Sequence, residues 1–265
     1  MAILLSDSEF ITFQKIIFNE VGIDLQSSKK LLVQSRLLKR LLFYKLNSYV
    51  EYLRLVQINK QERLEMINLI TTNETYFFRE IDHFEYLQKE IVPRHPFGAP
   101  FRLWSAAASV GAEAYSIAML LDSTMSQWNI VGSDINTEVI KKARVGLYPE
   151  KWVNKIPLDL RKKYCLKGRG RNEGQFLIDR KLIENLKFEV GNLLQYNANV
   201  GMFDVIFLRN VLIYFDDETK QLVVDNVLKN LKVGGYFFIS LTENLNMINS
   251  ASLETVSTSV YRKIK

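Results

Sequence analysis

The sequence predicts an α/β fold with a parallel sheet, preceded by an all-helical domain. Residues 7 to about 72 carry apolar side chains at helical spacing, and no proline stands before Pro93. From Phe101 onward, short apolar runs alternate with helical segments. Strands that alternate with helices form parallel sheets covered by helices on both faces. We therefore expect a helical domain over residues 1–72 and an α/β domain over residues 73–265.

Four helices are expected in the first domain. The first carries Phe10, Phe13 and Ile17 on one face, and three more follow before residue 70. Serine and aspartate side chains cap helix starts, and glycine often ends a helix. The expected boundary residues are Ser6 or Asp7 and Gly22 for the first helix, Ser27 or Ser28 for the second, and Ser48 for the third.

The α/β domain is expected to contain six strands with intervening helices. A late helix, from Asp217 to Leu231, is expected to end at Gly234-Gly235. The last strand is expected to close one edge of the sheet. The predicted strands cover residues 102–105, 129–134, 186–190, 203–208, 236–240 and 258–264.

One interval is longer than a crossover helix needs, since 54 positions separate Asp134 from Phe188. Within it, two short apolar runs flank a turn that contains Gly168, Gly170 and Gly174. Apolar runs on both sides of a glycine-rich turn indicate a β-hairpin. We expect a small antiparallel β insertion over about residues 150–185.

Composition excludes several classes of protein. Hydrophobic residues make up 48% of the 265 positions and charged residues 24%, which argues against a mainly disordered chain. One cysteine rules out an intramolecular disulfide framework and a cysteine-rich zinc module, and two histidines leave little for a metal site. No apolar run is long enough to span a membrane, and the N-terminus is a poor signal peptide. A cytoplasmic protein is expected, and its formal charge of +6 permits an acidic partner.

Two strand ends indicate a cofactor site, because ligands of parallel sheets bind at the carboxyl ends of strands. The strand that ends at Ser105 leads into a turn of small residues that closes with Gly111. This turn either admits a ligand to the backbone or packs a strand tightly against a helix. Asp134 ends the next strand, where it either binds the hydroxyls of a ribose or caps a helix.

The cofactor is expected to be a nucleoside without phosphates. A second glycine-rich phosphate loop is missing from the sequence, which argues against a pyrophosphate cofactor such as NAD. S-adenosylmethionine is the commonest ligand of this kind. Glu113, just inside the following helix, either binds the amino group of the ligand or interacts with the helix dipole.

Polar residues at three other places are further candidates. Arg209 and Asn210 interrupt a long apolar run where a strand ends, and Asn192, after another strand, could approach an adenine edge. Tyr214 is either a packed aromatic residue or a phenol that points into the site. Asn73, Thr75 and Arg79 lie at the junction of the two domains, where they belong either to a site or to a hinge.

The second helix is basic. Six Lys/Arg residues lie between Lys29 and Lys45, and no acid occurs between Asp24 and Glu51. Arg36 and Arg40 share one helical face. This face either attracts an acidic partner or is simply solvated.

Long motifs follow one another along nearly the whole chain. They are Asn73-x-Thr75-x-Phe77-Phe78-Arg79-Glu80, Trp104-Ser105-Ala106, Gly111-x-Glu113-x-Tyr115-Ser116, Ser133-Asp134-Ile135, Phe203-Asp204-x-Ile206-Phe207-x-Arg209-Asn210-Val211 and Gly234-Gly235-Tyr236. Together they resemble the chemotaxis-receptor glutamate O-methyltransferases, the CheR family. Gly111-Ala112-Glu113-Ala114-Tyr115 departs from the usual Gly-Glu-Glu-Pro-Tyr of that family, but it retains one acid.

The resemblance implies a Rossmann-like S-adenosylmethionine-dependent methyltransferase domain that methylates glutamates on the cytoplasmic helical bundle of chemoreceptors. It places Arg79 and Tyr214 nearest the chemistry, and it implies that the β insertion docks a receptor tail peptide by strand addition. The residues that it places at the cofactor are Asn73, Thr75, Arg79, Glu113, Asp134, Asn192, Leu193, Arg209 and Asn210. The expected substrate-binding residues are Arg36, Lys39, Arg40, Gly168, Gly170 and Gly174.

Two other functions are weighed beside this one. A methyltransferase acting on nucleic acid would fit the basic charge, but the basic cluster has no interleaved aromatic residues and the Asn-Pro-Pro-Tyr signature is missing from the sequence. A non-catalytic adaptor that binds the cofactor or a receptor tail is the other alternative. We expect a monomer without bound nucleic acid, metal or direct membrane insertion.

Overall fold

The computed structural model describes residues 3–265. The chain forms two compact units. The first runs to Thr72 and includes Tyr214–Thr219, and the second consists of Asn73–Ile213 and Lys220–Lys265. Within residues 3–265, no helix has the length and apolar character needed to cross a membrane.

Four helices build the first unit, as the sequence predicts. Ser6 caps the first in a capping box with Glu9, Gly22 ends it at φ 74°, and Ser48 and Asn59 cap the third and fourth. The helices are α1 Asp7–Val21, α2 Lys30–Tyr44, α3 Tyr49–Ile58 and α4 Lys60–Ile70.

The predicted cap of α2 is wrong. Ser27 and Ser28 lie in a short 3₁₀ turn, Ser27–Lys29, that precedes the helix. Lys29 stands at the cap position, and no side-chain hydrogen bond caps the helix there. The 3₁₀ turn starts the helical path three residues early, so the serines come too soon to serve the first N–H groups of α2.

The second unit contains a seven-stranded sheet in the order β6-β2-β1-β7-β8-β10-β9. The first five of these strands are parallel, and β10 pairs antiparallel with β8 and with β9. α-Helices lie in the connections between these parallel strands, except between β6 and β7, where the connection has only a 3₁₀ turn, Ala198–Val200. The strands are β1 Phe101–Ala106, β2 Trp128–Asp134, β6 Leu186–Val190, β7 Phe203–Leu208, β8 Leu231–Phe238, β9 Leu253–Ser257 and β10 Val260–Lys263; the helices are α5 Ile81–Tyr86, α6 Ala112–Thr124, α7 Thr137–Val145 and α10 Asp217–Leu228.

Two predictions about the end of this sheet are wrong. Gly234 and Gly235 do not end α10; they lie inside β8, where the register with β7 shifts and a side chain on Gly235 would meet the Asp204 carbonyl oxygen at 2.9 Å. The last strand, β10, is not the edge. It lies between β8 and β9, because the chain makes one more hairpin before it ends.

The predicted β insertion is confirmed, with one additional strand. The hairpin consists of β4 Cys165–Lys167 and β5 Gln175–Ile178, and β3 Leu147–Pro149 pairs with the other side of β5. Two short helices accompany this three-stranded antiparallel sheet: α8 Leu158–Tyr164 and α9 Arg180–Ile183. Buried Tyr148 and Phe176 pack in its core at 5.7 Å between ring centroids.

Candidate active site

The candidate site lies at the carboxyl edge of the parallel sheet. β1 is flanked by β2 and β7, with Ala106 opposite Ser133 on one side and Leu208 on the other. The loops that follow these three strands therefore begin next to one another. They carry Asp134, Arg209 and the small-residue turn that the sequence singled out.

The turn after β1 has an unusual backbone. Ala107, Ser109 and Gly111 all have positive φ angles, of 64°, 51° and 86°. A side chain at Gly111 would meet the Phe188 ring at 2.9 Å, so the turn also packs closely. The packing alternative is supported at Gly111, while the approach of a ligand to the backbone of this turn stays a prediction.

Asp134 is buried behind this turn. Its carboxylate accepts hydrogen bonds from the backbone N–H of Ser109 at 2.8 Å and of Asn136 at 2.9 Å. Burial raises the pKa of Asp134, against the opposing effect of these N–H donors. Asn136, not Asp134, caps α7, since its side chain accepts the N–H groups of Glu138 and Val139. The helix-cap alternative is therefore excluded.

Arg209 is buried, and its two terminal guanidinium nitrogens are engaged by other segments of its own unit, whereas its Nε has no hydrogen-bond partner among the described residues. One guanidinium nitrogen lies 2.9 Å from a Glu113 oxygen; the other lies 3.0 Å from a Glu80 oxygen and donates to the Arg79 carbonyl at 2.6 Å. Only 1% of the Arg209 side chain is exposed. The two terminal nitrogens thus hold neighbouring segments of the site in place, and the contact of Arg209 with the cofactor stays a prediction.

Glu113 lies at the start of α6 and is held from two sides. The Ser105 hydroxyl donates to one carboxylate oxygen at 2.7 Å, and Arg209 pairs with the other. The carboxylate is 15% exposed, so it reaches the surface of the site while its orientation is set by buried groups. This arrangement suits a carboxylate that receives a cationic group of a ligand.

Two acids that the sequence analysis left without a role organise the neighbouring loops. Glu243 is buried and accepts backbone N–H groups from Asn210, Ser240 and Ile213. Burial raises the pKa of Glu243, and these donors oppose that effect. Glu80 holds the side chain of Asn210, whose φ is 58°, by a 3.1 Å hydrogen bond. The contacts with Asn210 and Ile213 could not be found from spacing, because these partners lie 30 or more residues away from the acids; only Ser240 is close in sequence to Glu243.

The segment before α5 also belongs to the cofactor unit. The Asn73 carbonyl accepts a hydrogen bond from the Ser109 hydroxyl at 3.4 Å, which ties this segment to the turn after β1. Arg79 donates to the Glu74 carbonyl at 2.9 Å and lies 5.8 Å from the Tyr76 ring centroid. Thr75 and Arg79 are half-buried. The segment is therefore anchored to the predicted site, and the roles of its side chains stay predictions.

For three further predicted residues, the structure gives less direct evidence of a place in the site. Asn192 and Leu193 follow β6, where the Asn192 side chain accepts the Leu194 N–H at 3.0 Å and the Leu193 carbonyl accepts a hydrogen bond from Asn226. Tyr214 belongs to the helical unit, in which its carbonyl accepts the Asp24 N–H at 2.8 Å. A role for these residues beside the cofactor or the reacting carboxylate stays a prediction.

The basic helix differs from its prediction. Arg36 donates to three carbonyls at the end of α4, and Arg40 pairs with the buried carboxylate of Glu62. Both arginines stabilise the helical unit, so they are not freely available to a substrate. Lys39 alone of the three predicted residues is exposed.

In the β insertion, the three glycines shape the turn. A side chain at Gly168 would meet the Asn172 carbonyl oxygen at 2.0 Å, and Gly170 and Gly174 have φ of 58° and 76°. The insertion is also strongly basic. Residues 150–185 hold ten Lys/Arg and five Asp/Glu, a net charge of +5 against +6 for the whole chain.

A nucleoside cofactor fits these residues. Asp134 is a buried acceptor with no capping function, and Glu113 offers a preoriented carboxylate to a cationic group. Among residues 3–265, no group of three His, Cys, Asp or Glu side chains could hold a metal ion. Fold and site together define the class: an α/β domain that binds its cofactor at the carboxyl edge of the sheet, as S-adenosylmethionine-dependent methyltransferases do.

Comparison with known proteins gives the family. The model of the CheR methyltransferase SAM-binding domain matches residues 73–262, and that of the CheR methyltransferase all-alpha domain matches residues 8–71. The chain belongs to the CheR methyltransferase family, and it is an S-adenosylmethionine-dependent methyltransferase.

Curated relatives agree with this assignment. The chain is 37% identical to a chemotaxis protein methyltransferase of Salmonella typhimurium, over 94% of this chain and 88% of the relative. It is 37% identical to that of Escherichia coli, over 91% and 86%, and 32% identical to that of Borreliella burgdorferi, over 94% and 92%.

Proposed function

We propose that this methyltransferase esterifies glutamate side chains on the cytoplasmic helical bundle of chemoreceptors, and that it acts in the cytoplasm. Membership of the CheR family and the names of its relatives, chemotaxis protein methyltransferases, support the substrate class. The observation that carries the proposal is the cofactor site itself, in which Asp134 and Glu113 are held at the sheet edge by Ser109, Ser105 and Arg209.

The reaction needs alignment more than acid–base chemistry. When bound, the cofactor would supply a methyl group on a sulfonium: in-line attack by the substrate carboxylate forms the O–CH3 bond as the S–CH3 bond breaks, and neutral S-adenosylhomocysteine leaves. A glutamate side chain, whose ordinary pKa is about 4.3, is ionised at neutral pH and is therefore already a nucleophile. The enzyme therefore needs no general base, and its work is to orient the reactants and exclude water.

Six of the candidate residues receive a role in this scheme. Asp134 binds the ribose hydroxyls and Glu113 the amino group of the cofactor, while Asn192 and Leu193 lie beside the adenine. Arg79 orients a carboxylate, either that of the substrate or that of the cofactor. Tyr214 donates a hydrogen bond to the substrate carboxylate.

Replacing Arg79 with alanine tests the chemical role. We expect the turnover of labelled methyl groups on receptor-containing membranes to fall at least about tenfold, the effect of losing one charge-assisted hydrogen bond. The thermal midpoint should change little, because Arg79 is half-buried and its guanidinium contacts only nearby groups of its own segment, the Glu74 carbonyl and the Tyr76 ring, among the described residues. Arg94→Ala, at an exposed i,i+4 pair with Glu90, is the control. Normal methylation by the Arg79 variant would reject its role.

Receptor recognition is proposed to use exposed positive charge. Lys39 lies on the solvent side of α2, where the side chains of Leu42 and Phe43 are also exposed. The β insertion carries +5 of the chain's net charge of +6. Receptor methylation regions contain glutamates, so these charges would steer the encounter. A receptor tail peptide is proposed to add as a strand to the three-stranded sheet, in which β3 and β4 are the outer strands.

Charge reversal at Lys39 tests the steering. Lys39→Glu should lower kcat/KM for receptor by a few-fold at low salt, and the difference from wild type should shrink as salt screens the charges. Lys60→Glu, at the start of α4, is the matched control in the same unit. A salt-independent loss, or an equal loss in the control, would contradict steering through Lys39.

The same methyl-transfer assay separates the alternatives. Transfer to nucleic acid but not to receptor would support the nucleic-acid methyltransferase. Tight binding of S-adenosylhomocysteine without transfer to any acceptor would support the adaptor.

A further inference from the structure

The backbone around Arg79 is held in an uncommon conformation. Phe78 and Glu80, on either side of it, have φ angles of 55° and 58°, in the left-handed region that non-glycine residues rarely adopt. The Phe78 N–H donates to the Ser116 hydroxyl at 3.0 Å, and the Arg209 guanidinium donates a hydrogen bond to the Arg79 carbonyl at 2.6 Å. Such strain persists only where surrounding contacts enforce it, and it concentrates at functional sites.

The Glu80 carboxylate is the centre of those contacts. One oxygen accepts hydrogen bonds from the Asn210 amide at 3.1 Å and the Ser240 hydroxyl at 2.8 Å. The other accepts the Leu241 N–H at 2.9 Å and lies 3.0 Å from Arg209. Burial would raise the pKa of Glu80, but these donors and the charge of Arg209 outweigh it and lower the pKa to about 2. Glu80 is therefore ionised throughout the neutral range.

Glu80 and Glu113 share the charge of Arg209. The two terminal guanidinium nitrogens of Arg209 face different carboxylates: Nη1 faces Glu113 and Nη2 faces Glu80. If Glu80 were neutral, the whole positive charge would be balanced by Glu113 alone. The Glu113 carboxylate would then offer less negative potential to a cationic group of the cofactor, because a charge already paired attracts a second cation less strongly.

We propose that Glu80 is a positioning residue for the cofactor: by pairing with Arg209 it leaves Glu113 able to bind the cofactor's amino group, and it holds the Asn210 side chain in place. The inference rests on the proposed role of Glu113. Glu80 acts through Arg209 and Asn210 and does not itself contact the ligand in this account.

Calorimetric titration with S-adenosylhomocysteine tests the proposal, and it requires no methyl acceptor. Glu80→Gln, which keeps the shape and removes the charge, should weaken binding about tenfold. Glu85→Gln, at an exposed pair with Lys89 on the neighbouring helix, should bind as wild type does. Glu80→Asp, which keeps the charge near Arg209, is the second variant if the glutamine variant folds poorly, and it should lose less than about threefold.

A double-variant cycle distinguishes positioning from mere loosening of the structure. If Glu80 acts through Glu113, Glu80→Gln should weaken binding no further in a Glu113→Gln background. Three results would each overturn the proposal. The first is that the losses of affinity from Glu80→Gln and Glu113→Gln multiply in the double variant; the second is wild-type affinity in a folded Glu80→Gln variant. The third is a loss of affinity in Glu80→Asp as large as that in Glu80→Gln. If Glu113→Gln alone leaves the affinity for S-adenosylhomocysteine unchanged, the protein does not use Glu113 to bind the ligand. That result would contradict the proposed function instead.

Discussion

Replacing Arg40 with alanine should lower the free energy of unfolding by about 3–5 kcal/mol, the usual result of removing one partner from a buried ion pair. The reason is Glu62, whose side chain is wholly buried and accepts hydrogen bonds from the Arg40 guanidinium and the Tyr52 hydroxyl. Without Arg40, the carboxylate would remain buried with its charge uncompensated. Denaturant unfolding followed by circular dichroism measures the loss.

The loss should depend on pH in a defined direction. In the wild type, burial favours a higher pKa for Glu62, but the hydrogen bonds from Arg40 and Tyr52 outweigh it and lower the pKa. Without Arg40 the burial effect prevails and the folded-state pKa rises above the unfolded value. The destabilisation should therefore be larger at pH 8 than at pH 5, where the carboxyl can take up a proton.

Lys39→Ala is the matched control for this experiment. Lys39 lies next to Arg40 in the same helix, but its side chain is exposed, so its removal should change stability by less than about 0.5 kcal/mol. An Arg40→Ala variant as stable as the Lys39 variant would show that the buried pair does not stabilise the helical unit.

Removing the carboxylate of Asp134 should have the largest effect on cofactor binding. For Asp134→Ala we expect the affinity for S-adenosylhomocysteine to fall about 100-fold, since a charged acceptor of two hydroxyl groups contributes about 1.5–3 kcal/mol for each hydrogen bond. The variant also loses the hydrogen bonds to the Ser109 and Asn136 N–H groups, which shape the turn. Calorimetric titration measures the affinity, and a thermal melt reports folding.

Asp134→Asn separates binding from structure. Its amide oxygen can accept one of the two backbone N–H groups, while its NH2 group faces the other, so the fold should be retained with a loss of about 1–3 kcal/mol in stability. We expect this variant to be more stable than Asp134→Ala, which loses both hydrogen bonds, and to bind the ligand at least about tenfold more weakly than the wild type. Asp122→Asn, a change in the same unit outside the proposed site, should bind normally; if both variants bind equally well, Asp134 does not hold the ribose.

The alternation of strands and helices could be predicted because each element carries its own periodicity. Short elements could not. β3 consists of only Leu147, Tyr148 and Pro149, too few residues for any period to show. The final hairpin was predicted as one strand, because β9 is largely exposed and its five residues have no strong apolar run.

The candidate site was predictable where a residue type and a strand end coincide, as at Asp134. The contacts that each arginine makes could not be predicted from the sequence. Arg40 pairs with a carboxylate 22 positions along the chain, and Arg209 donates to a carbonyl 130 positions away. Pairings over such distances depend on the folded topology, so a basic helix could be seen in the sequence, but its half-buried, paired arginines could not be told from the exposed Lys39.

The charge of the β insertion also bears on the solubility of the protein. Residues 150–185 carry +5 of the chain's +6, so the rest of the chain has a formal charge of only +1. Proteins near zero net charge tend to self-associate, and a net charge away from zero keeps them dispersed. The insertion therefore supplies most of the colloidal stability of this enzyme, and any partner that neutralises the insertion also brings the protein close to its isoelectric point.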